Sequence, residues 1–472
     1  MISIDWLPDD VLLTIFDHFC ALEYHKQYHS EKKKEIEAWL PLVHVSRRWR
    51  TVVFGSPRRL NLRIFCTPAT PVRFMLNVWP ALPLIGLIIC DMPLKYGSPY
   101  NPIWDSTLLP NIIALIKHSD RVCQIDLHGV PNPHMEEVLA AMQAPFPELT
   151  YLMLWSNEET EPVLSDSFLG GSAPHLQSLR LYRIPFPALP KLLLSATHLA
   201  NLSLQDIPHS GYISPELMVT ALSALTSLRS LLLEFQSPRS CPDRESRRPP
   251  LLTRSVFPVL TFIKFKGVSE YLDDLVASID VPQLNSLNIT FFNQIVFDTP
   301  QIVRFINRTP ALKSLDEARV EFGGRAAEVN LSSRASAYRK LNVKILCGDL
   351  DWQVSSTEQV CASCLPFIST IEVLYIHKNP YESLEDWPDN IENRLWLELL
   401  HPFTAVKILD ISRDFVPRIL PALQELVGER TTEVPPALQN IVLKGLEPGP
   451  VQEGIRQFVA ARQATGHSIT VN

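Results

Sequence analysis

The stretch Leu149-Thr150-Tyr151-Leu152-Met153-Leu154-Trp155 contains the pattern that decides the fold of this 472-residue chain. Apolar residues occupy its first, fourth and sixth places, and the residues between them vary in character. The same apolar-x-x-apolar-x-apolar pattern recurs along the chain, and its first seven copies start 23 to 32 residues apart. The ten full copies start at Val122, Leu149, Leu176, Leu199, Leu228, Leu260, Leu284, Ile371, Val406 and Leu438. Chance recurrence in a leucine-rich protein is the alternative, and the near-constant period argues against it.

This pattern resembles the leucine-rich repeat, whose unit of about 20–29 residues begins with L-x-x-L-x-L. The resemblance implies an α/β fold, an irregular solenoid over residues 122–472 with parallel strands on the concave face and helices or loops on the convex face. The apolar places point inward, where each repeat buries them only against its neighbours. Leu312 starts a partial copy, and residues 341–345 fit one degenerate repeat. Residues 448–472 are predicted to form a terminal cap, a helix followed by a short strand.

Three segments depart from the period. Residues 61–121 are predicted to be a connecting segment with irregular first strands. Residues 236–255 are rich in proline and locally basic, which is typical of an exposed loop. Residues 319–339 are polar and contain Gly323-Gly324, and they are predicted to be a second excursion from the repeats.

The N-terminal sixty residues have a different pattern. Leu7-Pro8-Asp9-Asp10-Val11-Leu12-Leu13-Thr14-Ile15-Phe16 places proline at the first helical position and two carboxylates in the first turn, as a helix start favours. A second segment, Val45-Ser46-Arg47-Arg48-Trp49-Arg50-Thr51-Val52-Val53-Phe54, is predicted to carry Val45, Trp49 and both later valines on one helical side. The two segments are separated by a charged run, which is predicted to be a solvated helix or loop.

Together these two segments resemble an F-box over residues 1–60, and their continuation resembles a large basidiomycete-type set of fungal F-box proteins. The resemblance implies a helical module that docks on the Skp-type adaptor of a cullin ubiquitin ligase, with the repeats holding a target protein. The residues that would make or support the adaptor contact are Leu7, Pro8, Val11, Leu12, Ile15 and Trp49. Two alternatives stay open: an ordinary helical hairpin that caps the repeats, and a repeat scaffold whose F-box no longer engages a ligase.

Composition and motifs bound the function further. The net charge of −7 argues against general nucleic-acid binding, which needs a basic surface. The chain start lacks a secretory signal pattern, and the longest apolar run is shorter than a membrane span, so we expect a soluble cytoplasmic or nuclear protein without membrane contact. The eight cysteines include a single C-x-x-C, Cys361 to Cys364, without the second pair that a zinc site needs. Phosphate-loop, dinucleotide and hydrolase motifs are missing from the sequence, so we expect no cofactor, no metal and no catalysis.

The residues between and just after the apolar places are predicted to line the concave face, because side chains alternate across a strand. Most of these sets are polar. The exception is a patch of five on two successive repeats: Tyr151, Met153, Trp155, Arg180 and Tyr182. Tryptophan, tyrosine and arginine are enriched at binding hot spots, so the sequence predicts target binding here. Burial of the patch by a neighbouring segment is the alternative.

Overall fold

The structure is a computed structural model of the chain. It describes residues 6–27, 39–57, 59–60, 62–66, 72–78, 81–89, 108–156, 163–187, 189–240, 254–294, 296–297, 299–379, 391–426, 430, 433–443 and 450–471. The charged run at 28–38 and most of the 236–255 segment, residues 241–253, lie outside these ranges. The chain divides into two compact units, Met1–Leu199 and Ala200–Asn472.

Unit 1 begins with three helices, α1 (Asp9–Gln27), α2 (Leu40–Val45) and α3 (Arg47–Gly55). Ser46 separates the last two because its backbone is extended and its side chain accepts a hydrogen bond from the Trp49 N–H, which caps α3. Leu12, Phe16 and Val43 are almost completely buried where the helices pack. Phe16 of α1 packs on Trp49 of α3, with 4.7 Å between ring centroids, so these helices pack directly against each other.

The rest of unit 1 is a parallel sheet with connecting helices. Its strands pair in chain order: β1 (Ile64–Cys66), β2 (Leu84–Ile89), β3 (Val122–Val130), β4 (Tyr151–Ser156) and β5 (Ser178–Tyr182). Between them lie α4 (Val72–Val78), α5 (Leu108–Ile116) and α6 (Asn132–Ala141), and α7 (Leu189–Leu193) follows β5. The repeated apolar places, such as Leu152 and Leu154, have no exposed surface. This is the strand arrangement that the repeat pattern predicts.

Unit 2 continues the same kind of architecture. Parallel pairs join β6 (Asn201–Ile207), β7 (Ser230–Phe235), β9 (Phe262–Gly267) and β11 (Ser286–Phe292). Parallel pairs also join β15 (Val373–Lys378), β16 (Ile408–Ile411), β17 (Asn440–Leu443) and β18 (Thr470–Val471). A separate small sheet contains β8 (Ser255–Val256) and β10 (Ile279–Asp280). The helices are α8 (Pro215–Leu222), α9 (Ser269–Ala277), α10 (Pro300–Arg308), α11 (Leu350–Cys364), α12 (Asn393–Leu400), α13 (Val416–Gln424) and α14 (Pro450–Ala464).

Residues 317–346 contradict the prediction of one parallel strand per repeat. They form three long strands, β12 (Glu317–Phe322), β13 (Ala326–Ser333) and β14 (Ser336–Leu346), which pair antiparallel with one another. Strand β14 pairs parallel with β11, and β12 pairs parallel with β15. The predicted polar excursion at 319–339 is therefore wrong, because its apolar residues alternate with polar ones and are buried as part of the sheet. Together the described strands and helices form a mixed α/β fold with long parallel sheets of the leucine-rich-repeat kind.

The end of unit 2 agrees with the predicted helix and strand. Helix α14 buries Ile455 and Phe458, and β18 adds to β17 as a last parallel strand. Arg462 of α14 is buried and donates two hydrogen bonds to the Pro435 carbonyl oxygen, at 3.1 and 3.0 Å. Burial lowers the pKa of this guanidinium.

Candidate functional sites

The helices α1 to α3 present apolar side chains to solvent although they already have a packed core. Val11 and Ile15 are 38% and 42% exposed, and they lie one turn apart on α1. Pro8 is also exposed, while Leu7 is half-buried. The predicted adaptor-binding residues of α1 thus fall mainly on one accessible stripe.

Two of the predicted adaptor-binding residues, Leu12 and Trp49, pack inside the helical module wholly or in part. Leu12 has no exposed surface, so it can support a contact but cannot make one in the folded module. Trp49 is half-buried and packs on Phe16, with 4.7 Å between ring centroids. The structure thereby separates the residues that the sequence could only group together.

Sequence reasoning missed two exposed apolar residues of this module. Trp6, just before α1, is 82% exposed. Val45 is 59% exposed, although the sequence analysis placed it on one helical side with Trp49. That placement is wrong because Ser46 ends α2, so the two residues belong to different helices. Helical spacing alone runs through Ser46, and only its role as the N-cap of α3 shows that one helix ends and another begins there.

Arg48 links α3 to the start of α1. Its Nη2 donates to the Leu7 carbonyl oxygen at 2.6 Å and to the Asp9 carboxylate at 2.7 Å. Arg50 Nε donates to the Val43 carbonyl oxygen at 3.0 Å. The two Arg48 bonds hold the beginning of α1 and its apolar stripe against α3, and the Arg50 bond holds α2 against α3.

The second candidate site is the predicted target patch in unit 1. Strands β4 and β5 pair so that Met153 lies opposite Arg180 and Trp155 lies opposite Tyr182. The Trp155 and Tyr182 ring centroids are 4.8 Å apart, and the Arg180 guanidinium carbon lies 5.8 Å from the Tyr151 ring centroid. Arg180 is exposed and the other four residues are half-buried. The structure therefore brings all five predicted residues together on the accessible face of the sheet.

A histidine–carboxylate pair on β3 extends this patch. His128 lies 5.3 Å from Trp155 between ring centroids, and its Nε2 lies 2.7 Å from Asp126 Oδ1. Arg183 follows β5 with a φ of 56°, in the left-handed region, and its guanidinium lies 5.5 Å from the Tyr182 ring centroid. Asp126 and His128 stand between and just after the apolar places of the first copy, so alternation assigns them to this face, but repeat spacing does not give the ring contact with Trp155.

Not every residue predicted to line the accessible face is accessible. Ser178, Ser203 and Val373 are buried, at 7%, 5% and 3% exposure. Ser178 and Val373 are the first residues of β5 and β15, and Ser203 is the third residue of β6. The accessible part of the sheet is therefore narrower than strict alternation predicts.

Within the described ranges, no group of histidine, cysteine or acidic side chains has the arrangement of a metal site. Cys361 and Cys364 are free and buried, and burial raises the pKa of Cys364 to about 11. Burial raises the pKa of Cys361 as well. Among the helices of the same ranges, none combines the length and apolar character that a bilayer crossing requires.

Comparisons with known proteins give little beyond this geometry. No family model matches the chain, and no curated protein matches it. One similar solved structure is the leucine-rich repeat-containing protein LegL7 from Legionella pneumophila, at 14% identity and a TM-score of 0.26. The match covers 74% of this chain and 93% of that one. A similarity this low assigns no family, so the repeat character of the chain rests on its own strands and buried leucines.

Proposed function

We propose that the chain is the substrate-recognition subunit of a Skp–cullin–F-box ubiquitin ligase, acting in the cytoplasm or nucleus without catalysis of its own. Its helices α1 to α3 would dock on the Skp-type adaptor, and its repeats would bind a target protein. The observation that carries the proposal is the exposed apolar stripe on a helical module that is already packed. The F-box-like sequence of the same residues adds to it.

Packing energetics favour a partner on this stripe. Burying apolar surface contributes about 25 cal/mol per Å², and the exposed faces of Val11 and Ile15 would contribute only when a partner covers them. Contiguous exposed apolar surface is typical of protein contacts.

The test is capture of a purified Skp-type adaptor by the full chain. We expect Ile15→Asp to abolish capture, because a carboxylate at the centre of an apolar interface would be buried without a partner. Leu7→Ala with Pro8→Ala should weaken capture more mildly. Asp17→Ala changes an exposed residue about half a turn away on the same helix, and it is the matched control.

Circular dichroism and thermal unfolding must show that each variant stays folded. Full-strength capture by folded Ile15→Asp would contradict the ligase proposal. A wild-type chain that captures a target but no adaptor would instead favour the repeat scaffold whose F-box engages no ligase.

The target half of the proposal rests on the patch of Tyr151, Met153, Trp155, Arg180 and Tyr182. We expect Trp155→Ala and Tyr182→Ala to abolish target capture while adaptor capture stays unchanged. Tyr338→Ala is the control, since Tyr338 is 82% exposed and lies in unit 2. A loss of several kcal/mol in unfolding free energy, as for a core truncation, would show that the patch is internal and not a binding surface.

A further inference from the structure

Helix α5 of unit 1 has no charged side chain along its length, and Asn111 is the one polar residue among its nine. Its inward side is formed by residues that are each 6% exposed or less: Leu108, Ile112, Leu115 and Ile116. A helix at the surface of a globular protein normally carries charged or polar residues on the side away from the core. The outward side of α5 departs from this rule.

The outward side of α5 lines an open cavity to which α4 and α6 also contribute residues. The cavity has a volume of about 360 Å³. Leu109 and Ile113, which lie one turn apart on α5, are half-buried and line it together with Leu76 of α4. Pro110 lines it as well and is exposed. The cavity therefore has an apolar floor that is accessible to solvent.

A hydrogen bond between α5 and α4 fixes one wall of this cavity. The Val72 backbone N–H, at the start of α4, donates to Asn111 Oδ1 at 2.6 Å. Val72 is 1% exposed, so the bond lies where the two helices pack. The polar residue of α5 is thus used within the fold, and the cavity is formed before any partner arrives.

Basic side chains predominate around the apolar floor. Arg73 of α4 lines the cavity, and so do Lys117 and His118, which follow the last residue of α5. Arg73 and Lys117 are exposed, and neither side chain has a hydrogen-bond or ion-pair partner among the described residues. One acidic residue, Glu137 of α6, also lines the cavity, and its Oε1 lies 4.0 Å from His134 Nδ1. Two cationic groups therefore remain to pair with a ligand.

We propose that this cavity is a docking site for an acidic amphipathic helix of a partner protein. Apolar side chains one turn apart on that helix would lie against Leu109 and Ile113, a spacing that helix-in-groove recognition uses. Its carboxylates would pair with Arg73 and Lys117. A recess accepts single side chains, whereas membrane binding buries a protruding apolar face in the bilayer, so a protein segment fits better than a lipid surface. The inference goes beyond the proposed function, since it uses neither the adaptor stripe nor the target patch.

The probe is a phage-displayed library of helical peptides of about 12 residues, roughly three turns, which matches the length of α5. Selection on the full chain is followed by depletion on folded Ile113→Asp, so that the retained sequences report on this cavity and not on other exposed surfaces. Leu194→Asp is the matched control, because Leu194 is 56% exposed just after α7 in the same unit. Circular dichroism and thermal unfolding show whether each variant is folded.

We expect the retained peptides to share large apolar residues at helical spacing and an excess of aspartate and glutamate. Fluorescence anisotropy with one such synthetic peptide should show affinity at least about tenfold lower for Ile113→Asp than for wild type or Leu194→Asp, as loss of a central anchor does. Arg73→Glu with Lys117→Glu should weaken this peptide and strengthen its counterpart with lysine in place of each acidic residue. If Ile113→Asp does not fold, this charge-reversal variant takes its place in the depletion step.

A selection that retains no sequence, or retains neutral or basic ones, would overturn the inference. So would equal affinity of the acidic peptide for the wild-type and charge-reversal chains. Sedimentation with vesicles of a zwitterionic and an anionic phospholipid tests the lipid alternative, and binding that the charge reversal removes would assign the cavity to a membrane instead. Adaptor capture should be unchanged in every variant; its loss in folded Ile113→Asp would make the cavity part of the adaptor contact and would also overturn the inference.

Discussion

Asp273 offers the most quantitative test of how the repeats are joined. This aspartate lies on α9 and is 2% exposed. Its Oδ1 accepts hydrogen bonds from the Gln301 and Ile302 backbone N–H groups, at 2.8 and 2.9 Å, at the start of α10. Helix starts have unsatisfied N–H groups and favour negative charge. One repeat thus caps the helix of the next through a buried carboxylate.

Asp273→Ala leaves both N–H groups of α10 without this acceptor. An unsatisfied buried donor costs about 1–3 kcal/mol, and the Ile302 N–H is the more deeply buried of the two. The Gln301 N–H is only partly buried and can recover some of its loss through water. We therefore expect Asp273→Ala to lower the unfolding free energy by about 2–4 kcal/mol. Asp273→Asn keeps an acceptor oxygen and loses the charge, so it should cost about 1 kcal/mol.

Urea unfolding followed by circular dichroism measures both variants, with unchanged m-values showing that stability alone has changed. Asp351→Ala is the control, because Asp351 is an exposed acidic residue in the first turn of α11. It should cost less than about 1 kcal/mol. A loss under 1 kcal/mol for Asp273→Ala, or an Asn variant as unstable as the Ala variant, would refute the capping argument.

Three further predictions follow from buried groups in unit 2. Cys361 and Cys364 should resist alkylation in the native chain at pH 8 and react after unfolding, because their raised pKa values keep the thiols protonated. Mass spectrometry measures the labelling, and rapid labelling of the native chain would contradict this prediction. Desolvation and then Glu398 raise the pKa of Glu358, so the contribution of this carboxyl to stability falls as pH rises from the ordinary glutamate pKa through the raised pKa of the folded chain. Glu358→Gln should therefore raise the melting temperature relative to wild type at pH 7 but not at acidic pH, and an equal gain at both would oppose the assignment. Val329→Asp should lower the unfolding free energy by several kcal/mol, since Val329 is fully buried in β13; a near-neutral effect in urea unfolding would place β13 outside the core.

The repeat pattern predicts the parallel strands well because its physical basis is local. Leu152 and Leu154 are buried wherever their strand lies in the sheet, since alternation alone sends them to one side. The antiparallel pairing of β12 to β14 could not be predicted in this way, because a repeat period assumes that each strand pairs parallel with the strand of the next repeat. The alternation of Val329 and Leu331 with polar residues indicates a strand, but it does not say which strand lies beside it.

The sequence predicts which residues of the candidate sites lie on neighbouring strands, but it does not predict how their side chains are oriented. Neighbouring strands lie about 4.8 Å apart, which suffices to place Tyr151 near Arg180. The position of the guanidinium over the ring, and the contact of His128 with Trp155, depend on side-chain rotamers that no spacing gives. On α1, helical spacing groups Val11 with Leu12, and only packing against α3 shows that the first is exposed and the second is buried.

Ubiquitin transfer in a reconstituted reaction tests most directly the proposal that this chain joins a ligase adaptor to a target protein. The reaction contains the adaptor, the cullin–RING core, the ubiquitin-activating and conjugating enzymes, the captured target and the full chain. We predict polyubiquitinated target with the wild-type chain and with Asp17→Ala, and none with folded Ile15→Asp or Trp155→Ala. Transfer that proceeds unchanged with either of these two variants, or that fails with the wild-type chain despite binding of both adaptor and target, would contradict the account.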